Sequence, residues 1–200
     1  RNLEIMDLLL ASFLHPNIGD YLSGRVLYID DAASTMRQAP FAQEELNAIR
    51  DVADTVVPIT VAATSSAVFR DELDAADCIY VAGGESFRLL YGLKSTGADR
   101  LLVEAVRNGK PYAGSSAGAI IAGPSVEPAS VMDDPSVAPQ LTDCSGLNLT
   151  EFVVVPTPRA RLARTPSKSS AKQWKSTARN GSLCFSGMGK LCMKVAAGQC

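Results

Sequence analysis

Gly114-Ser115-Ser116-Ala117-Gly118 reads as G-x-S-x-G, the pattern of a serine hydroxyl held at a sharp turn from strand to helix. The reason for the pattern is steric. The residues two positions either side of the serine must be nearly bare for strand and helix to approach, and Gly114 and Gly118 meet that need. Such a turn exposes the hydroxyl at the start of a helix, where backbone N–H groups and the helix dipole favour a developing oxyanion. The pentapeptide alone is a weak signal, because a helix-packing turn without chemistry could carry the same residues. Its setting is stronger: a short strand at 111–113 precedes it and an apolar helix at 117–122 follows. Ser116 is the expected nucleophile.

A second turn, Gly83-Gly84-Glu85-Ser86-Phe87, follows the apolar run CIYVA and opens another helix. The Gly84 N–H could serve as an oxyanion donor beside that of Ala117. An ordinary strand-to-helix turn capped by Glu85 or Ser86 would look the same. A phosphate cradle is disfavoured, since the remaining glycines and the Lys of a P-loop are missing.

Strands and helices must alternate to place both turns at one edge. The pattern predicts strands at 8–13, 25–29, 55–61, 78–82, 111–113 and 151–155. It predicts helices at 41–52, 68–75, 87–93, 99–106 and 117–122. Phe41, Leu46, Ile49 and Val52 mark the apolar face of the first helix, and Pro58 weakens the third strand. This alternation predicts an α/β fold, a mostly parallel sheet covered on both faces as a three-layer α/β/α sandwich. Chemistry then collects at the carboxyl ends of strands, where His15, Asp30-Asp31, Gly83-Gly84-Glu85 and Ser116 fall.

The 200 residues, 46% of them hydrophobic, suit one domain with a sizeable core. A net charge of −2 gives no reason to expect a nucleic-acid partner. Apolar runs are too short to span a bilayer, and the first residues do not read as a signal peptide. The five cysteines, Cys78, Cys144, Cys184, Cys192 and Cys200, show no C-x-x-C spacing. A reducing cytoplasm is expected, with no zinc site, metal or cofactor. Composition breaks at residue 156: all 21 acidic residues lie before it, whereas nine of the 19 Lys and Arg lie after it. Two domains of the sequence are therefore expected, an α/β unit at 1–156 and a basic Ser/Lys/Gly-rich tail at 157–200. The tail reads as a basic arm for an anionic partner, or as disordered or foreign sequence. The abruptness of the break favours the second.

VAGGESFRLLYGL at 81–93 and YAGSSAGAIIAGPS at 112–125 resemble the two signature segments of the peptidase E family. MDDPSVAPQLTDCSGLNLTEFVVVP at 132–156 resembles the segment that follows them, and the resemblance spans 7–156. It implies a class I glutamine amidotransferase-like, flavodoxin-like fold and a serine dipeptidase that releases N-terminal aspartate from short peptides. Cyanophycinases are relatives, so a cyanophycinase-like hydrolase is an alternative. The implied partner is a small peptide substrate, with a homodimer open.

The resemblance also implies an acidic triad member, assigned to Asp133 with Asp134 close behind, and a His base directly after a strand-ending Pro. Pro156 is followed here by Thr157, which cannot shuttle a proton near pH 7. His15 is the other option, although a plain loop His is the simpler reading of it. Glu85 stands where many relatives carry Asn. The missing base motivates a second hypothesis, a catalytically impaired relative that binds a ligand or partner. An amidotransferase-like enzyme ranks below both, because that class needs Cys where Ser116 stands.

Overall fold

In the computed structural model, residues 5–15 and 18–154 and the backbone of 192–196 are described. Six strands form one sheet in the order β3-β2-β4-β5-β1-β6. These are β1 (Ile5–Ala11), β2 (Arg25–Ile29), β3 (Thr55–Ile59), β4 (Cys78–Val81), β5 (Tyr112–Ser115) and β6 (Cys192–Ala196). β1 to β5 run parallel, and β6 lies antiparallel on β1. The helices are α1 (Pro40–Arg50), α2 (Ser66–Ala75), α3 (Ser86–Thr96), α4 (Ala98–Arg107) and α5 (Ala117–Ile120).

Side chains of β1, β2 and β4 alternate between two separate apolar clusters, as a sheet covered on both faces requires. Leu8 and Leu10, Leu27 and Ile29, and Ile79 and Val81 join α2, α3, α4 and α5 in the larger cluster. Leu9, Val26, Tyr28, Cys78 and Tyr80 face the other way, toward Ile49 of α1 and Ile18 and Leu22. The expected α/β architecture with a mostly parallel sheet is the one observed.

Several expected boundaries move. Pro58 is tolerated because β3 is an edge strand, so its missing N–H costs no ladder bond on the open side. The face that α1 buries is Ala42, Glu45 and Ile49, whereas Phe41 and Val52 are exposed. The helix after Ser116 is a single turn rather than the run to 122. The strand expected at 151–155 is absent over 151–154, because the Phe152 N–H is taken by the Thr150 hydroxyl at 3.2 Å in a local turn. Val155 and Thr157 lie outside the described residues. So does the predicted 157–200 tail, except for the backbone of β6, a strand its composition did not suggest.

Candidate active site

β5 delivers four buried residues to the carboxyl edge, and α5 starts two residues later. Ser116 makes the whole turn by itself, with φ 45° and ψ −108°. Only one other described non-glycine residue, Asn148, has positive φ. Angles of this kind cost about 1–3 kcal/mol and persist only where the surroundings over-determine them. Here the Ser116 N–H donates to the Ala11 carbonyl of β1 at 2.8 Å. The Ser116 carbonyl accepts from Ala119 and Ile120 at 3.0 and 2.9 Å.

The two glycines of the pentapeptide stand where backbone meets backbone. A Cβ on Gly114 would lie 2.4 Å from the Gly118 carbonyl oxygen, and one on Gly118 would lie 2.1 Å from that of Val81 in β4. Strand, turn and helix therefore close against each other, and Ser116 is left half-exposed among buried neighbours.

Gly83 and Gly84 run beside this turn. A Cβ on Gly83 would stand 3.4 Å from the Ser116 Cβ. Gly84 has φ 138° and sits over the Ala32 carbonyl, which a Cβ would approach to 2.3 Å. Glu85 N–H donates to that same carbonyl at 3.0 Å and pins the loop. The N–H groups of Gly84 and Ala117 donate to no described residue. α5 is one turn long, so it brings little helix dipole to the elbow.

Beneath both turns lies a residue that sequence reasoning missed. Glu45 of α1 is buried, and its carboxylate accepts from the Tyr80 hydroxyl at 2.7 Å. It also accepts from the Ser115 hydroxyl and from the Gly83 N–H, the latter at 3.2 and 3.3 Å to its two oxygens. Burial pushes this carboxyl above its ordinary range, and the three donors oppose that shift without cancelling it. A signal was available: Glu45 falls on the same helical stripe as Ala42 and Ile49, a place where a lone carboxylate needs partners.

Asp133 accepts from the Ser86 N–H at 3.0 Å, which brings it to the first turn of α3, beside the Gly83-Gly84 loop. Asp134 is exposed and accepts from the Ser136 N–H at 2.9 Å, a local cap on the Pro135–Val137 turn. Glu85 holds the N-cap position of α3 without a capping bond, and its Oε2 is buried with no hydrogen-bond partner. Burial first, and then the neighbouring Asp133, raise its carboxyl above the ordinary range. His15 is buried in the loop after β1, with its ring edge-on to Tyr21 at 6.5 Å. Asp31 is buried too, but its oxygens accept from Val61 and Ala62 N–H at 2.7 and 2.9 Å and serve the fold.

Ser116, Ala117, Gly84 and Glu45 thus belong to one constellation, and Glu85 and Asp133 to its flank. No group of three or more His, Cys, Asp or Glu able to hold a metal ion occurs among the described residues. No helix among them is long and apolar enough to cross a membrane. A shallow cleft of about 480 Å³ between α4 and Gly146-Leu147 shares no residue with the constellation.

The model of peptidase family S51 matches residues 9–185, past the composition break at 156. An uncharacterized peptidase of Listeria innocua is 39% identical over 136 residues, which cover 68% of this chain and 65% of that protein. The chain thus spans about two thirds of that relative's length. Peptidase E of Streptomyces coelicolor is 48% identical over 75 residues, 38% of this chain and 30% of the relative. A crystal structure of a candidate peptidase E protein from Listeria monocytogenes superposes with a TM-score of 0.74 at 29% identity. It covers 86% of this chain and 87% of its own.

Proposed function

The chain belongs to peptidase family S51, and from that premise we propose that it hydrolyses short peptides with Ser116 as the nucleophile. The observation that carries the reading is the backbone of Ser116, φ 45° and ψ −108°, at a turn packed on Gly83, where the N–H groups of Gly84 and Ala117 donate to no described residue. In the proposed reaction the Ser116 Oγ attacks the scissile carbonyl, and these two N–H groups hold the oxyanion. The hydroxyl proton passes to a base, which the family places as a His that Asp133 would orient; Thr157 stands at that position here, and the chain's single histidine is the buried His15.

A fluorophosphonate probe tests the reading directly. Stoichiometric labelling is expected, and Ser116→Ala should abolish it. An unlabelled protein would favour the second reading, a relative that binds ligands without turnover, which Thr157 in the expected place of the base motivates. The finer reading is release of an N-terminal Asp. Glu85 and Asp133 stand beside the loop, so a substrate with N-terminal Asp is the stringent member of a dipeptide panel. A cyanophycin digest run alongside separates the cyanophycinase-like alternative. The unpaired thiols of Cys78 and Cys144 support a proposed cytoplasmic setting.

A further inference from the structure

We propose that Glu45 is a positioning residue, whose buried carboxylate ties the Gly83-Gly84 loop to the residue before Ser116 and so sets the oxyanion donors against the nucleophile. The proposal rests on the serine-hydrolase reading above. Three donors from two neighbouring strands meet on this one group: Tyr80 in β4, the Gly83 N–H just past β4, and Ser115 at the end of β5. Gly83 precedes one proposed oxyanion donor, and Ser115 lies two residues before the other. Covalent connection between the two turns is distant in sequence, 32 residues from Gly83 to Ser115, so their relative placement depends on contacts such as this.

An apolar side chain at this place on α1 would avoid the desolvation of a carboxylate but would leave the Tyr80, Gly83 and Ser115 donors without their acceptor, so a test must separate placement from stability. A carboxylate supplies two oxygens that accept several hydrogen bonds at fixed directions. Its rigid contacts with both turns restrict how far they can separate. Misplacing a donor weakens the bond formed in the transition state more than it weakens ground-state binding.

The experiment uses the full chain and measures kinact and KI for fluorophosphonate labelling of Ser116, with thermal unfolding of each variant. Glu45→Gln keeps the volume but cannot accept at both ends. It should lower kinact about tenfold or more while KI stays within about twofold. Ser115→Ala removes one tie and keeps the carboxylate, so it should lower kinact by a smaller factor even if Glu45→Gln fails to fold. Lys110→Met, at the opposite edge of the sheet, serves as a destabilised control with unchanged kinact. Wild-type kinact in Glu45→Gln or in Ser115→Ala would overturn the proposal, as would equal slowing in the Lys110 control. Wild-type protein that shows no Ser116-dependent labelling would instead overturn the hydrolase reading, and the positioning role with it.

Discussion

The backbone of Ser116 occupies a region that residues with a Cβ avoid, and three hydrogen bonds to β1 and α5 hold it there. Ser116→Gly relieves that conflict. It should raise the unfolding free energy by about 1 kcal/mol, net of the entropy glycine adds to the unfolded chain. The urea midpoint should move up while labelling disappears, and a midpoint below wild type would show that the turn is unstrained. Glu45 gives a second prediction at this scale. Burial raises its carboxyl above the ordinary 4.5, so the folded chain keeps a proton that the unfolded chain has released. The stability this contributes is complete below 4.5 and is lost as pH rises through the raised folded value. The stability difference between wild type and Glu45→Gln should therefore shrink as pH rises from 4.5, measured by urea unfolding at each pH. A pH-independent difference would refute the assignment.

At the scale of elements, each end of the sheet has its own work. The carboxyl edge carries the elbow, the glycine loop and the start of α2, while a polar cap ties the opposite edge at the other end of α2. Ser65 accepts from the Val68 N–H at 3.3 Å and starts α2. Lys110 donates to the carbonyls of Leu73, Asp74 and Ala76 at its far end. A cation over exposed helix carbonyls satisfies acceptors that the helix cannot satisfy itself. Lys110→Met should cost about 1 kcal/mol in urea unfolding, with no change in Ser116 labelling. Unchanged stability would mean that solvent serves these carbonyls equally well. The existence and order of the elements from β1 to α5 were legible, because strand and helix periods differ. The face of α1 was not: a search for apolar stripes counts Phe41 and Val52, and it passes over a glutamate whose partners lie on other strands.

On the scale of the whole molecule, the sheet divides two apolar clusters, and β4 runs through its middle with one side chain set in each. Ile79 is fully buried in the larger cluster. Ile79→Ala should cost about 2–5 kcal/mol, the usual range for a truncated core side chain, and urea unfolding will read it. A loss below about 1 kcal/mol would mean that the surrounding helices collapse into the space. The central strands also explain why the site is where it is. β5 lies between β4 and β1, so its turn is flanked by the loop from one and accepts its place from the carbonyl of the other.

The local features of this protein are written in short stretches of sequence. Alternating periods specify a parallel α/β sheet, and Gly114-x-Ser116-x-Gly118 specifies a turn that no bulkier residues could close. The long-range features came only from the tertiary structure. It brought Glu45 under two turns 38 and 70 residues away, and it set Asp133 on the first turn of α3. It also shortened the helix after Ser116 to one turn, which leaves little helix dipole at the elbow. The physical reason is one of range. Backbone sterics act between neighbours, whereas a buried carboxylate is defined by donors that approach it only when the sheet has formed.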